Sequence, residues 1–239
     1  MKYQGSKNSH AKELLPIILA DRKEGQYVYD LFCGGGNICD KINGNVVAND
    51  YNYYTTIAMD LIKNNLKHIP QNNDQSDENL YKEFRLKEMT SDIVLDGMKG
   101  YYGFALSYGG KWFGGWCRDK EGKRDYVAEA YRNAVKQSPN LQNVTFANKS
   151  YDEVELQPNS IIYLDPPYKD TTKYKTGDFD YDKFYQWCID RHNEGHQVFI
   201  SEYWLPEDKF KCVWKKEVNS SLTKDTGSKK NVEKLFIVK

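Results

Sequence analysis

The stretch Ser160-Ile161-Ile162-Tyr163-Leu164-Asp165-Pro166-Pro167-Tyr168 decides how this chain is organised. A short apolar run, opened by Asn159-Ser160 and stopped by two prolines, reads as a buried strand with an abrupt end. Each X-Pro junction disfavours helix for the residue before it, and each proline ring fixes its own backbone dihedral. The loop after the strand is therefore stiff, and it holds a carboxylate, a main-chain carbonyl and an aromatic ring close together. Those groups suit a planar base carrying an exocyclic amine. Asp165 and the Pro166 carbonyl can accept both N–H bonds of the amine, while Tyr168 stacks on the ring. The plain alternative is a strand-end turn with a solvated aspartate.

Upstream, Tyr27-Val28-Tyr29-Asp30-Leu31-Phe32 reads as a strand from its β-branched and aromatic content. Cys33-Gly34-Gly35-Gly36-Asn37 follows, then a helix-like Ile38–Ile42, then a second strand, Asn45–Asn49, that ends at Asp50. Glycines let the backbone approach a ligand, and a helix start offers unpaired N–H groups. Asp50 lies twenty residues after Asp30, where dinucleotide-type folds place an acid on the ribose hydroxyls. The run is not a strict G-x-G-x-x-G, because Cys39 occupies the last glycine position. As a turn or cap residue, Asp50 would instead only precede the helix expected over Tyr53–Leu66.

Composition bounds the rest. A chain of 239 residues makes one to two domains with a real core. Lys+Arg 34 against Asp+Glu 34 leaves no net charge, so any nucleic-acid surface must be a local patch. The five cysteines form no C-x-x-C pair, and with no signal peptide or transmembrane run they point to free thiols in a cytoplasm. No metal site is expected. His192 and His196 straddle a helix end and read as a solvated terminus.

Ser9 reads as an N-cap for a segment through Leu14, Leu15, Ile17 and Ile18, which Pro16 interrupts. From 51 to 142 the strand–helix alternation stops. Helical pieces are expected over 53–66, 79–89 and 125–136, with an aromatic, glycine-rich segment over 100–116. A charged turn, Arg118–Arg124, follows with Gly122 at its tip. Residues 101–136 hold seven lysines and arginines (111, 118, 120, 123, 124, 132, 136) against four acids. Basic side chains interleaved with aromatics suit a surface that tracks phosphates and wedges into a base stack; a small packed subdomain with a solvated hairpin is the alternative. The alternation resumes at Asn143–Ala147. Lys169–Asp178 is placed to act as a lid. The strands near Lys211–Val218 and Glu233–Val238 look like an antiparallel pair around a polar loop ending in Lys229-Lys230.

One half-site suits a nucleoside with a ribose and the other an amine-bearing base. Together they fit methyl transfer from S-adenosylmethionine to a base amino group. Tyr3-Gln4-Gly5-Ser6-Lys7, Asp30-Leu31-Phe32-Cys33-Gly34-Gly35-Gly36, Asn49-Asp50 and Asp165-Pro166-Pro167-Tyr168 resemble the motifs of Dam-type DNA adenine methylases, many carried by phages. Their order is similar to the alpha group of amino-methyltransferases, and the likeness continues through Ser150-Tyr151, Phe199-Ile200-Ser201 and Lys229–Glu233. The resemblance implies an α/β, Rossmann-like S-adenosylmethionine-dependent methyltransferase sheet with helices on both faces. A catalytic domain of 1–50 and 143–239 would carry an inserted, mainly helical target-recognition domain, 51–142, with a β-hairpin.

The resemblance also implies roles. Tyr3, Gly5 and Lys7 would line the methionine end of the cofactor, with Phe32, Gly34 and Gly36 as its floor; Asp30 and Asp165 would also bind the cofactor. Asp50 would hold the ribose, and Ser150 and Tyr151 would meet the cofactor adenine. Tyr108 would fill the gap left by a flipped adenine; the family usually follows that tyrosine with asparagine, and here Gly109 stands. Lys2, Lys111, Arg118, Lys120, Lys123, Arg124, Lys229 and Lys230 would face double-stranded DNA. The expected partner is DNA, without membrane or metal, for a monomer or a dimer on DNA, possessing or lacking a companion restriction enzyme. Cytosine N4, an RNA base, or a catalytically silent DNA-binding or cofactor-sensing module are the rival readings.

Overall fold

The computed structural model describes residues 1–119, 121–168, 179–219 and 230–239. The chain divides into two compact units, one of Met1–Ala11 with Cys33–Val154, the other of Lys12–Phe32 with Glu155–Lys239.

The second unit is built around a sheet. Its strands are β1 (Val28–Asp30), β4 (Ile161–Leu164), β5 (Gln197–Glu202), β6 (Phe210–Asn219) and β7 (Lys230–Val238). They lie in the order β1-β4-β5-β7-β6. β1, β4 and β5 are parallel, and β7 enters antiparallel to both of its neighbours. Every residue of β4 is buried, as the unbroken Ile-Ile-Tyr-Leu run requires of a strand covered on both faces. Helix α6 (Tyr181–Asn193) opens at Asp180, whose carboxylate accepts from the Lys183 N–H. It buries Phe184, Tyr185, Trp187 and Cys188. Helix α1 (Ala11–Ile18) contains Pro16 within it rather than being interrupted there. His196 departs from its expected solvated setting: it is buried, and Nδ1 accepts from the Ser160 N–H at 3.1 Å. Burial lowers its pKa, so the imidazole works as a neutral acceptor that closes the entry to β4.

In the first unit, β2 (Val46–Asn49) and β3 (Val144–Ala147) run parallel and in register. The helices are α2 (Tyr53–Asn64), α3 (Glu78–Leu86), α4 (Ile93–Phe104) and α5 (Tyr126–Gln137). Asn52, Asp77, Asp92 and Asp125 cap them by accepting N–H bonds of the first turn.

Two expectations for this region need correcting. The helix expected over Ile38–Ile42 is only a 3-10 turn, Cys39–Lys41. The glycine-rich stretch from 100 begins inside α4, and in place of a β-hairpin the described residues show one isolated bridge, Ser107 to Trp116. The physical reason is packing. Gly97, Gly100 and Gly103 share one face of α4. A Cβ at Gly97 would lie 3.0 Å from Leu61 Cβ, and one at Gly100 would lie 2.9 Å from Ala58 Cβ. Glycine lowers helix propensity, but here it admits α2 to close contact, and burial of Ala58 and Leu61 against α4 offsets that cost.

Candidate active site

In the second unit, β4 and β5 lie side by side with Leu164 opposite Ile200. The Asp165–Tyr168 loop therefore leaves the sheet beside Ser201 and Glu202, the last two residues of β5, at the strand ends where open α/β sheets bind ligands. The Tyr181 hydroxyl, in the first turn of α6, donates to the Pro167 carbonyl at 2.8 Å and clamps the loop. Tyr168 is half-buried. Its hydroxyl donates to Glu233 Oε2 at 2.7 Å, and its ring stands 4.5 Å from that of Tyr203 at 81°. Behind it, the Tyr163 and Ser201 hydroxyls share a 2.8 Å bond. Burial of the hydroxyl, then the neighbouring Asp165 charge, push the pKa of Tyr168 and of Tyr163 well above the usual tyrosine range. Both stay protonated. Asp30 ends β1 opposite Tyr163 and is buried. Phe32 meets Phe179 and Phe184 edge-on at 6.0 and 6.1 Å.

The other predicted residues assemble in the first unit. Gly34 adopts φ +48°, and a Cβ there would come within 2.8 Å of the Tyr3 ring, which itself packs on Phe104 at 5.0 Å. Gly36 has φ +68°, with Met59 filling the space a side chain would need. Gly5 turns with φ +81°, and its carbonyl accepts from the buried Lys7 at 3.3 Å. The Asp50 carboxylate accepts from the Gly34 N–H at 3.0 Å and the Asn52 N–H at 2.9 Å. Burial of its carboxyl raises its pKa to about 6, against the lowering effect of those two bonds.

Asn49 and Asn148 lock the loop around Asp50. Asn49 exchanges two side-chain bonds of 3.0 Å with the Lys149 backbone, and Asn148 donates to the Asp50 and Tyr51 carbonyls at 2.7 and 3.0 Å. Ser150 forms a capping box with Glu153, and Tyr151 is buried in the 3-10 turn that follows.

Tyr108 is 74% exposed, at the start of a 3-10 turn through Gly110. Buried Tyr81 holds that turn by bonding Ser107 Oγ at 2.8 Å and accepting from the Gly115 N–H at 3.1 Å. The turn also abuts the amino-terminal motif: the Gln4 N–H donates to the Gly110 carbonyl at 3.0 Å. Lys2 reaches Cys117 Sγ at 3.1 Å, and Lys111 is exposed. Arg118 pairs with Glu78 at 3.2 Å, while Lys123 pairs with Glu121 and Arg124 with Glu129, both at 2.6 Å. These exposed pairs are weak, so each cation can exchange its carboxylate for a phosphate. Lys120, Lys229 and the lid stretch Lys169–Asp178 lie outside the described residues, and Lys230 is placed only by its backbone, at the start of β7. Among the described residues, no helix is long and apolar enough to cross a membrane and no cluster of His, Cys, Asp or Glu could hold a metal ion.

The model of the D12 class N6 adenine-specific DNA methyltransferases matches residues 3–224. The chain belongs to that family. As a D12 class enzyme it methylates adenine N6 in DNA, site-specifically, on an α/β methyltransferase fold with seven strands among the described residues. The match takes in the region between the two flanks on which the motif resemblance rested, and it ends before the Lys229–Glu233 stretch. Sequence reading passed over several side chains that hold this methyltransferase's motifs in place. Tyr81, Asn148 and Tyr181 carry no pattern that separates them from ordinary helix or turn residues. Glu233 entered only as the last residue of the Lys229–Glu233 likeness, without a role; a further signal is that its carboxylate lies on the same strand face as the fully buried Leu235.

Proposed function

We propose that the methyl donor is S-adenosylmethionine and that Asp165, Pro166 and Tyr168 hold the flipped adenine. The observation that carries this reading is the Tyr168 ring, half-buried on a proline-stiffened loop and held by Glu233 and Tyr203. The ribose acid supports the cofactor half. Each Asp50 oxygen accepts one backbone N–H and keeps lone pairs for a hydroxyl. When bound, the donor supplies an electrophilic methyl on a sulfonium, which leaves without further activation. Asp165 and the Pro166 carbonyl accept the two N6 hydrogens and so aim the nitrogen lone pair, while Tyr168 stacks on the ring. The N6 nitrogen would bond the methyl carbon as the C–S bond breaks, its electron pair staying on sulfur, and would then release one proton to solvent. Positioning and electrostatics account for most of the acceleration. Extruding the base costs a few kcal/mol, offset by stacking and by hydrogen bonds to its edge.

Tyr3, Gly5, Lys7, Asp30, Phe32, Gly34, Gly36, Ser150 and Tyr151 complete the proposed cofactor site. Residues 51–142 are the proposed target-recognition region, with exposed Tyr108 as its wedge, in a cytoplasmic enzyme acting as a monomer. The test is transfer from labelled S-adenosylmethionine to mixed-sequence duplex DNA and to RNA, followed by digestion to nucleosides. Label in N6-methyladenine from DNA is expected. Label confined to RNA or to N4-methylcytosine, or none at all, would overturn the reading.

Asp50 gives cofactor binding a pH dependence. Its carboxyl is raised to about 6, so folding favours the protonated form and hydroxyl donors favour the charged one. Binding should be strongest above pH 6 and weaken about tenfold per unit below it, one proton per site. Asp50→Asn should bind weakly and flatten this profile; titration calorimetry from pH 5 to 8 decides, and an unchanged slope would remove Asp50 from the ribose.

Neutralising Arg118, Lys123 and Arg124 together should weaken DNA binding and lower the slope of log K against log salt by roughly 0.9 for each phosphate that is no longer neutralised. Cofactor affinity should stay constant. An unaltered salt slope would move the DNA surface elsewhere.

A further inference from the structure

We infer that Glu233 is a positioning residue for methyl transfer, fixing the plane of the base-stacking ring through the Tyr168 hydroxyl. The inference rests on the proposed stacking role of Tyr168. The loop fixes the backbone of that tyrosine, because two prolines precede it and Tyr181 clamps the Pro167 carbonyl. Neither device restrains rotation about the side-chain bonds. The hydroxyl does, by donating at 2.7 Å to a carboxylate oxygen, a charge-assisted bond of the stronger kind.

The carboxylate itself stands on rigid ground. β7 is hydrogen-bonded on both sides, with Lys234 opposite Glu202 of β5 and Glu233 opposite Lys216 of β6. Glu233 is thus the residue that emerges just past the end of β5, at the level of Tyr203. Tyr203 sets its ring perpendicular to that of Tyr168 from the neighbouring strand end. The stacking ring is held at its hydroxyl by one strand and beside its plane by the next. The raised hydroxyl pKa keeps the proton on Tyr168, so the bond persists across the working pH range. A polar side chain on a strand face that continues into buried Leu235 would be a local cost without such a use.

The consequence is kinetic. A misplacement of about 1 Å at a reacting base can cost 10²-fold in rate, and releasing one hydrogen bond to a charged group is expected to cost about tenfold in kcat. Glu233→Ala should show that loss while KM for DNA and cofactor affinity move less than about twofold. Glu233→Gln keeps an acceptor oxygen and should recover most of the rate. Tyr168→Phe removes the donor from the other side without touching β7, and the double variant Tyr168→Phe/Glu233→Ala should be no slower than the slower single one.

With 2-aminopurine at the target position, Glu233→Ala should raise fluorescence in the bound complex, reporting a loosened stack. Tyr168→Ala separates the two ideas. A near-normal rate in Tyr168→Ala would remove the stacking reading and the inference with it. A slow Tyr168→Ala combined with unaffected Tyr168→Phe, with Glu233→Gln as slow as Glu233→Ala, or with additive losses in the double variant, would leave stacking standing and overturn the role of Glu233.

Discussion

Asp165→Ala should lower the single-turnover rate by at least about 10²-fold, the usual cost of removing one preorganised transition-state interaction. On the proposed mechanism this carboxylate accepts an N6 hydrogen in the ground state, and it meets growing positive charge as the nitrogen begins to bond carbon. Its hydrogen bond therefore strengthens along the reaction, which is the condition for a residue to act on kcat and not only on KM. The charge also comes ready placed. Asp165 follows β4, a fully buried strand, and precedes two prolines and the Tyr181 clamp, so little reorganisation accompanies the reaction. Asp165→Asn should fall between the two, keeping one acceptor oxygen without its charge. Stability should change little, because the side chain lies beyond the strand and is only half-buried. Quench-flow measurement of methyl incorporation, with a melting curve for each variant, checks both statements. A rate above about a tenth of the parent's in a folded Asp165→Ala would remove the carboxylate from the chemistry.

Much of this architecture was legible because local signals agreed with one another. The apolar run before Asp165 could only be a buried strand, and its prolines marked where it ended. The acidic end of the second strand was readable from the Asn-Asp pair and its distance from Asp30. What escaped was what depends on tertiary contact. The glycines of the 100–116 segment read as an irregular stretch, yet Gly100 lies inside α4 where α2 packs on it, and Gly103 makes room for Trp112 and Phe113. His196 looks solvated at a helix end until the Ser160 N–H turns out to need an acceptor. The charged turn showed its own acids in the sequence, and three of its cations do hold carboxylates, but one of these is Glu78, forty residues from Arg118. Glu233 is of the same kind: its partner is 65 residues away, and spacing says nothing about such a pair.

The glycine run supplies the second large effect. Gly34→Val is expected to cost about 2–5 kcal/mol of stability, combining left-handed backbone strain with overpacking. For a chain of this size that is a fall of roughly 5–20 °C in Tm. The backbone at Gly34 has φ +48°, and an added Cβ would sit 2.8 Å from Tyr3 Cδ1 and Cε1. A ring held against Phe104 cannot yield by that much without leaving its place. The same residue donates its N–H to Asp50, so a shift in its backbone also disturbs the acid proposed to hold the ribose. Gly122→Val is the control: φ there is +68°, with nothing within 4 Å of the added carbon. It carries the strain without the clash and stands at an exposed turn. The two variants should therefore differ in Tm by the packing share, and only Gly34→Val should lose cofactor affinity, by tenfold or more if Tyr3 lines that site. Thermal melts and calorimetric titration of both variants decide it. Equal losses of stability in the two would mean that backbone strain alone requires glycine at 34. A destabilised Gly34→Val that still bound cofactor normally would separate Tyr3 from the cofactor site.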